Sequence, residues 1–246
     1  MGQFAVVLPA AGNSSRFGDK EKKPFVTLDG RPIWLRTAEL FVNRDDVCQC
    51  IVVIAPNDEE KFRSRYGPNL AFMDIEVVLG GAERFESVAN ALKILKTEVE
   101  HVAIHDAVRP CVTSEQISTV FQKAEATGAA ILAVPVTDTV KEVNYQSEIT
   151  STKSREGLWL AQTPQVFRRD WLESGYAKRI ELGRTITDDA QLVEAVGHAV
   201  SVVEGSRSNI KITTQPDLKL AEAILKSLPK AKSDRPASPF DEEAMW

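Results

Sequence analysis

A chain of 246 residues with 43% hydrophobic and 26% charged residues has the balance of a soluble globular protein with ample core-forming material. Its 35 acidic residues outnumber 30 basic ones, for a formal net charge of −5. That balance argues against a general nucleic-acid or membrane-binding surface and leaves room for a local basic pocket. No apolar run approaches the ~18–20 residues of a membrane span, and the first residues lack the pattern of a signal peptide. Cys48, Cys50 and Cys111 make neither a disulfide framework nor a zinc pattern, so a reducing cytoplasm is the expected setting.

In chain order, the apolar runs Phe4–Leu8, Cys50–Ala55, Ile75–Leu79, His101–His105 and Ala129–Val134 read as strands. Amphipathic helical patterns fall between them at 32–43, 57–65, 84–96 and 114–127. Pro32 suits a first helical turn, and Thr113 or Ser114 can cap the helix after it. Strands apolar on both faces and alternating with helices imply an α/β fold, a parallel sheet covered on both sides. The segment 136–159 breaks this pattern: it is polar, β-branched and hairpin-like, with a turn near Asn144–Ser147, and buries little by itself. Helices near 169–181 and 188–196, strands near 199–203 and 208–213, and a helix near 216–227 follow. The proline-rich, charged stretch 229–246 reads as a disordered tail, leaving one domain over 1–228.

Ligands of parallel sheets sit beyond the carboxyl ends of the strands, which makes the loops at 9–23, 80–87 and 105–110 neighbours around one site. "PAAGNSSRFG" (9–18) lacks the G-x-G-x-x-G spacing of dinucleotide-binding loops. Its small residues Ala10, Ala11, Gly12, Ser14 and Ser15 would let backbone N–H groups approach a polyphosphate, with Arg16 as a bidentate cation and Lys23 as a second. The alternative is an ordinary tight strand-to-helix connection. "GGAERFESV" (80–88) is a glycine pair before a helix, by itself a plain turn. "HDAVRP" (105–110) puts Asp106 at the sheet edge, where it would meet ribose or a metal-bound phosphate, or else pair with Arg109. His105 either has a chemical role or closes a buried strand.

Together with "KKPFVTLDGRPI", "PVTDTVK", "GLWLAQTPQVF", "TITDDAQLVE" and "GSRSNIKITTQPDL", these stretches follow the order seen in 2-C-methyl-D-erythritol 4-phosphate cytidylyltransferases. The chain resembles that family from residue 4 to about 225. The resemblance implies a Rossmann-like nucleotidyltransferase fold with a projecting β-arm at 136–159, a homodimer formed through it, and a magnesium ion. It implies CMP transfer from CTP to methylerythritol phosphate, with release of pyrophosphate in the non-mevalonate route to isoprenoids. Carried over by residue, Arg16, Lys23 and Lys211 are catalytic. Pro9, Ala10, Ala11, Gly12, Gly81, Ala82, Ser87, Asp106 and Ala107 surround CTP. Arg109, Thr139, Arg155, Thr187 and Lys211 bind the acceptor, Arg155 from the partner subunit, and Asp106 meets the metal through water. Lys211 could equally be a surface strand-end lysine, and Thr187 a helix N-cap. Two departures stand out: Ser14 occupies a position that is glycine in the family, and Pro24 follows the lysine. Alignment through Phe25 makes Lys23, not Lys22, the equivalent residue. Ribitol-5-phosphate cytidylyltransferases have closely related motifs, and a non-catalytic nucleotide-binding relative is the alternative from another class.

Overall fold

The computed structural model describes residues 3–12, 22–179 and 186–228; the expectations for Ser14, Ser15, Arg16 and the tail at 229–246 fall outside them. In chain order the elements are β1 (Phe4–Pro9), β2 (Thr27–Leu28), β3 (Arg31–Pro32), α1 (Ile33–Val42), β4 (Val47–Ile54), α2 (Glu59–Phe72) and β5 (Ile75–Leu79). Then come α3 (Arg84–Leu92), β6 (His101–Ile104), α4 (Ser114–Thr127), β7 (Ala129–Pro135), β8 (Val140–Val143) and β9 (Ile149–Lys153). The described chain finishes with β10 (Trp159–Arg168), α5 (Arg169–Lys178), α6 (Ala190–Ala195), β11 (Ser201–Glu204) and α7 (Gln215–Ser227).

Seven strands form one sheet in the order β11-β7-β10-β6-β1-β4-β5. β1 pairs in parallel with both β4 and β6, and β4 with β5. Apolar residues occupy both faces of these strands because helices cover both. Phe4, Val6 and Leu8 of β1 pack in one cluster with Trp34, Phe41, Phe62, Ile117 and Phe121 of α1, α2 and α4. Ala5 and Val7 enter the opposite cluster with Val88, Leu92, Leu172 and Val193 of α3, α5 and α6. Thr113 caps α4 as expected, its Oγ1 accepting the Gln116 N–H at 3.2 Å.

Three expectations are corrected. β10 is a strand that the apolar pattern does not announce; it enters the middle of the sheet antiparallel to both β6 and β7. Its buried Gln162, Thr163 and Gln165 hide it from such a pattern. The strand expected at 208–213 makes no sheet ladder; it runs irregularly beside the sheet, with the Ile212 N–H donating to the Val108 carbonyl at 3.0 Å. The helix expected at 57–65 runs on to Phe72 through Pro68.

The segment 136–159 does form a hairpin. β8 and β9 pair as a separate two-stranded ribbon, mostly exposed. Asn144 Oδ1 organises its turn by accepting the N–H groups of Gln146 and Glu148 at 3.0 and 2.9 Å. Val143, Tyr145 and Ile149 on the ribbon, and Leu158, Trp159 and Leu160 beyond it, are exposed.

Candidate active site

The chain leaves β1 in one direction to build β4 and β5 and returns to build β6 on the other side. Such a reversal opens a crevice beyond the carboxyl ends of the strands. A cleft of about 770 Å³ lies there. Its walls come from the ends of β1 (Pro9–Gly12), β4 (Ala55–Asn57), β5 (Gly80–Glu83) and β6 (Asp106, Val108), joined by Lys22, Lys23, Arg84, Ser87 and Lys211. The described residues of the three loops expected to be neighbours therefore meet.

One wall is built by close backbone approach. A Cβ on Gly80 would stand 2.6 Å from Ser87 Oγ and 2.7 Å from Ala11 Cβ, and one on Gly81 would stand 2.4 Å from Glu86 Cβ. Glycine is required at both positions by space, because real Cβ contacts are longer than 3 Å. The buried Ser87 hydroxyl pins the loop, accepting the Gly81 N–H at 3.2 Å and donating to the Glu83 carbonyl at 3.1 Å. Glu83 and Glu86 close a capping box at the start of α3. The result is a wall of small residues and fixed backbone groups, suited to reading the edge of a planar base.

The floor is charged. Asp106 follows β6 and is 7% exposed. Its Oδ2 lies 2.9 Å from Lys211 Nζ and 3.2 Å from Arg109 Nε. Burial pushes its carboxyl up, but Lys211, Arg84 and Arg109 outweigh that and hold it well below the usual carboxylate range. Both readings of Asp106 thus have a physical counterpart: it pairs with Arg109 and also faces the cleft. Arg109 donates in addition to the Asn209 carbonyl at 2.7 Å and does not line the cleft.

His105 is fully buried. Its Nε2 lies 3.0 Å from the Arg109 carbonyl and its Nδ1 3.1 Å from Thr163 Oγ1, while the Asp106 N–H donates to the same hydroxyl at 3.1 Å. Burial lowers its pKa to about 4, so it is neutral and closes the strand. Its carbonyl partner assigns the proton to Nε2.

At the cleft's other side, Lys23 and Pro24 open a 3-10 turn that buries Phe25 among Phe62 and Tyr66. Proline at the second position of such a turn gives up an N–H that has no partner within the turn, so Pro24 is locally well placed. Lys22 also lines the cleft, but its ammonium is paired with Asp58 at 2.7 Å.

Of the remaining expected residues, Ala107 is buried, its carbonyl accepting the Thr37 hydroxyl at 3.0 Å, and does not line the cleft. Thr139 and Arg155 lie exposed at the base of the ribbon, Arg155 donating to the Thr137 carbonyl. Thr187 is exposed and is not the helix cap: Asp188 Oδ1 accepts the Gln191 N–H at 3.2 Å, while the Thr187 N–H donates to Gln191 Oε1. Lys211 is not a plain surface lysine, given its pairing with Asp106. Arg84 is a cleft residue that lies within the stretch 80–88 but is not among the expected site residues. It sits at the first position of α3, where the helix dipole disfavours a cation. That misplacement is the signal that could have found it.

The family model described as 2-C-methyl-D-erythritol 4-phosphate cytidylyltransferase matches residues 4–227. A relative of that name from Rhodopirellula baltica is 41% identical over 232 residues, covering 90% of this chain and 94% of its own. Another from Bacillus velezensis is 41% identical over 226 residues, covering 92% and 97%. Among solved structures, the 2-C-methyl-D-erythritol 4-phosphate cytidylyltransferase of Thermus thermophilus superposes with a TM-score of 0.76 at 31% identity, covering 92% of this chain and all of that one. The 4-diphosphocytidyl-2C-methyl-D-erythritol synthase of Anaerococcus prevotii gives 0.77 at 30%, covering 92% and 96%. With the sequence match running through the strand ends that wall the cleft, the chain belongs to the 2-C-methyl-D-erythritol 4-phosphate cytidylyltransferase family.

Proposed function

We propose that this protein transfers CMP from CTP to 2-C-methyl-D-erythritol 4-phosphate in the non-mevalonate route to isoprenoids, releasing pyrophosphate. The observation that carries the reading is one cleft in which a wall of small, backbone-exposing residues meets Lys23, Asp106 and Lys211. The relatives named above, all called methylerythritol phosphate cytidylyltransferases or the equivalent synthase, favour that acceptor over ribitol 5-phosphate.

In the reaction an acceptor phosphate oxygen bonds to the α-phosphorus of CTP while the bond to the bridging oxygen of the β-phosphate breaks. The acceptor phosphate is already ionised, so no protein nucleophile is needed and catalysis rests on positioning and charge. Ala10, Ala11, Gly81, Ala82 and Ser87 hold the cytosine, where a backbone carbonyl facing the amino group rejects uracil. Pro9, Gly12 and Asp106 hold the ribose side, while the buried Ala107 supports Asp106 from behind the cleft wall. Arg16 and Lys23 neutralise the triphosphate and the pentacoordinate phosphorus. Thr187, Lys211, Thr139 and Arg155 hold the acceptor, and Arg109 acts behind them by holding Asp106.

The cleft fits a magnesium ion carried chiefly by nucleotide phosphates. Among the described residues no cluster of three His, Cys, Asp or Glu side chains could hold a metal alone, and Asp106 is the buried carboxylate on the lining. Asp106 would meet the ion through water; when bound, the ion neutralises phosphate charge. We further read residues 1–228 as one domain and the ribbon as the arm of a homodimer. Its exposed Val143, Tyr145 and Ile149 support that reading, since a two-stranded ribbon rarely stands alone. The unpaired cysteines fit a cytoplasmic setting. Among the described residues no helix is long and apolar enough to cross a membrane.

The test is pyrophosphate release from CTP with methylerythritol phosphate, with ribitol 5-phosphate and UTP as controls. Release with the first pair alone is expected. Equal turnover of ribitol 5-phosphate, or no release at all, would overturn the assignment.

A further inference from the structure

Arg84 is a cleft cation with no part in the proposed reaction. Its guanidinium lies 2.7 Å from Asp189 Oδ2, far along the chain, and the Asp189 side chain is 1% exposed. Asp189 Oδ1 accepts the Tyr176 hydroxyl at 2.5 Å. Gln165, at the buried end of β10, completes the arrangement. Its Oε1 accepts the N–H groups of Asp189 and Ala190, both at 3.2 Å, and its Nε2 donates to Asp188 at 2.9 Å. The segment 187–190 is therefore held from below by β10 and from the side by Arg84, which itself stands at the end of the nucleotide-facing loop 80–83.

The energetics indicate why a cation is kept there. Burial alone would push the Arg84 guanidinium down, yet Asp189 and Asp106 raise it. Asp189 is buried, so removing Arg84 would leave a buried charge uncompensated, although the Arg84 side chain, 34% exposed, is screened in part by water. The loop and the segment are thus locked in one relative position, and Arg84 also adds to the field that keeps Asp106 ionised.

We propose that Arg84 is a positioning residue: through its pair with Asp189 it fixes the Thr187–Asp189 segment against the nucleotide loop and so sets the acceptor half of the cleft. The proposal rests on the reading that Thr187 meets the acceptor phosphate. Arg84 touches neither reacting atom in this role; it acts through Thr187.

The experiment measures steady-state constants and CTP binding by calorimetry for the wild type, Arg84→Gln, Arg84→Lys, Asp189→Asn and the Arg84→Gln/Asp189→Asn double variant. Wild-type turnover of methylerythritol phosphate is measured first; its absence would sink the functional reading and leave no acceptor for Arg84 to position. With it in hand, Arg84→Gln and Asp189→Asn should each raise KM for the acceptor by about tenfold, within the usual range of coupling between sites, while the Kd for CTP moves less than about threefold. The double variant should resemble the single ones rather than multiply them, and Arg84→Lys should recover part of the loss because one charge contact survives. A rise in the Kd for CTP matching the rise in acceptor KM would make Arg84 a nucleotide contact and overturn the proposal. A lower melting temperature with unchanged KM would make the pair merely structural, and would overturn it equally.

Discussion

Replacing Asp106 with asparagine keeps the shape of the cleft floor and removes a buried negative charge. In the native protein that carboxylate faces Lys211 at 2.9 Å and Arg109 at 3.2 Å, at 7% exposure. Lys211 is 42% exposed, so water screens much of its share. The Arg109 side chain is 12% exposed and would keep a neutral acceptor in place of an ionic one. Removing one partner of a buried pair costs about 3–5 kcal/mol, and the retained acceptor and the screening of Lys211 argue for the lower end, about 3 kcal/mol. For a domain of this size that corresponds to a fall in Tm of about 6–12 °C. The sign with pH follows from the folded carboxyl lying below its usual range. Its contribution is complete above the unfolded value near ~3.9 and is lost as pH falls through the lower folded value. Melting curves of the wild type and Asp106→Asn should therefore be separated by a constant gap from about pH 5 to about 8, begin to approach each other below about pH 4 and meet only below the folded value. A gap under 2 °C at neutral pH, taken as a rough detection limit, or one that widens as pH drops, would refute the charge-balanced floor.

Gly80→Ala should weaken CTP binding by about tenfold or more with a smaller effect on Tm, since the new methyl would meet Ser87 and Ala11 and spread the base wall; calorimetric Kd values check it. Lys23→Ala and Arg16→Ala should each lower kcat by ~10²–10³, whereas Lys22→Ala, already paired with Asp58, should lose less; near-wild-type Lys23→Ala with inactive Lys22→Ala would reverse the alignment through Phe25. If two arms exchange in a dimer, inactive Arg155→Ala and inactive Lys23→Ala proteins should regain activity on mixing. Random reassembly makes half the dimers mixed with half their sites intact, roughly a quarter of wild-type activity, and none after verified subunit exchange would place Arg155 in its own subunit's site.

What the sequence determined by itself were the features set by local chemistry. β1, β4, β5, β6 and β7 are apolar on both faces, and burial on both faces of a parallel sheet is what such runs require. The Thr113 cap and the Asn144 turn are made by side chains bonding their own neighbouring backbone, so a short window contains the whole cause. The glycines, Lys23, Asp106 and Lys211 were legible because their motifs occur in a specific order. The tertiary structure decided the rest. β10 is central yet carries Gln162, Thr163 and Gln165, whose burial is tolerable only because Ser206, Asn209, His105 and Asp188 supply partners from distant parts of the chain. The segment 208–213 has the β-branched look of a strand, but its polar side chains and backbone serve the floor around Asp106 and Thr163 instead of a ladder. Arg84 reads locally as a cation on the wrong end of a helix; only when folding brings up Asp189 does a charge that a linear pattern would reject become a fixed part of the cleft.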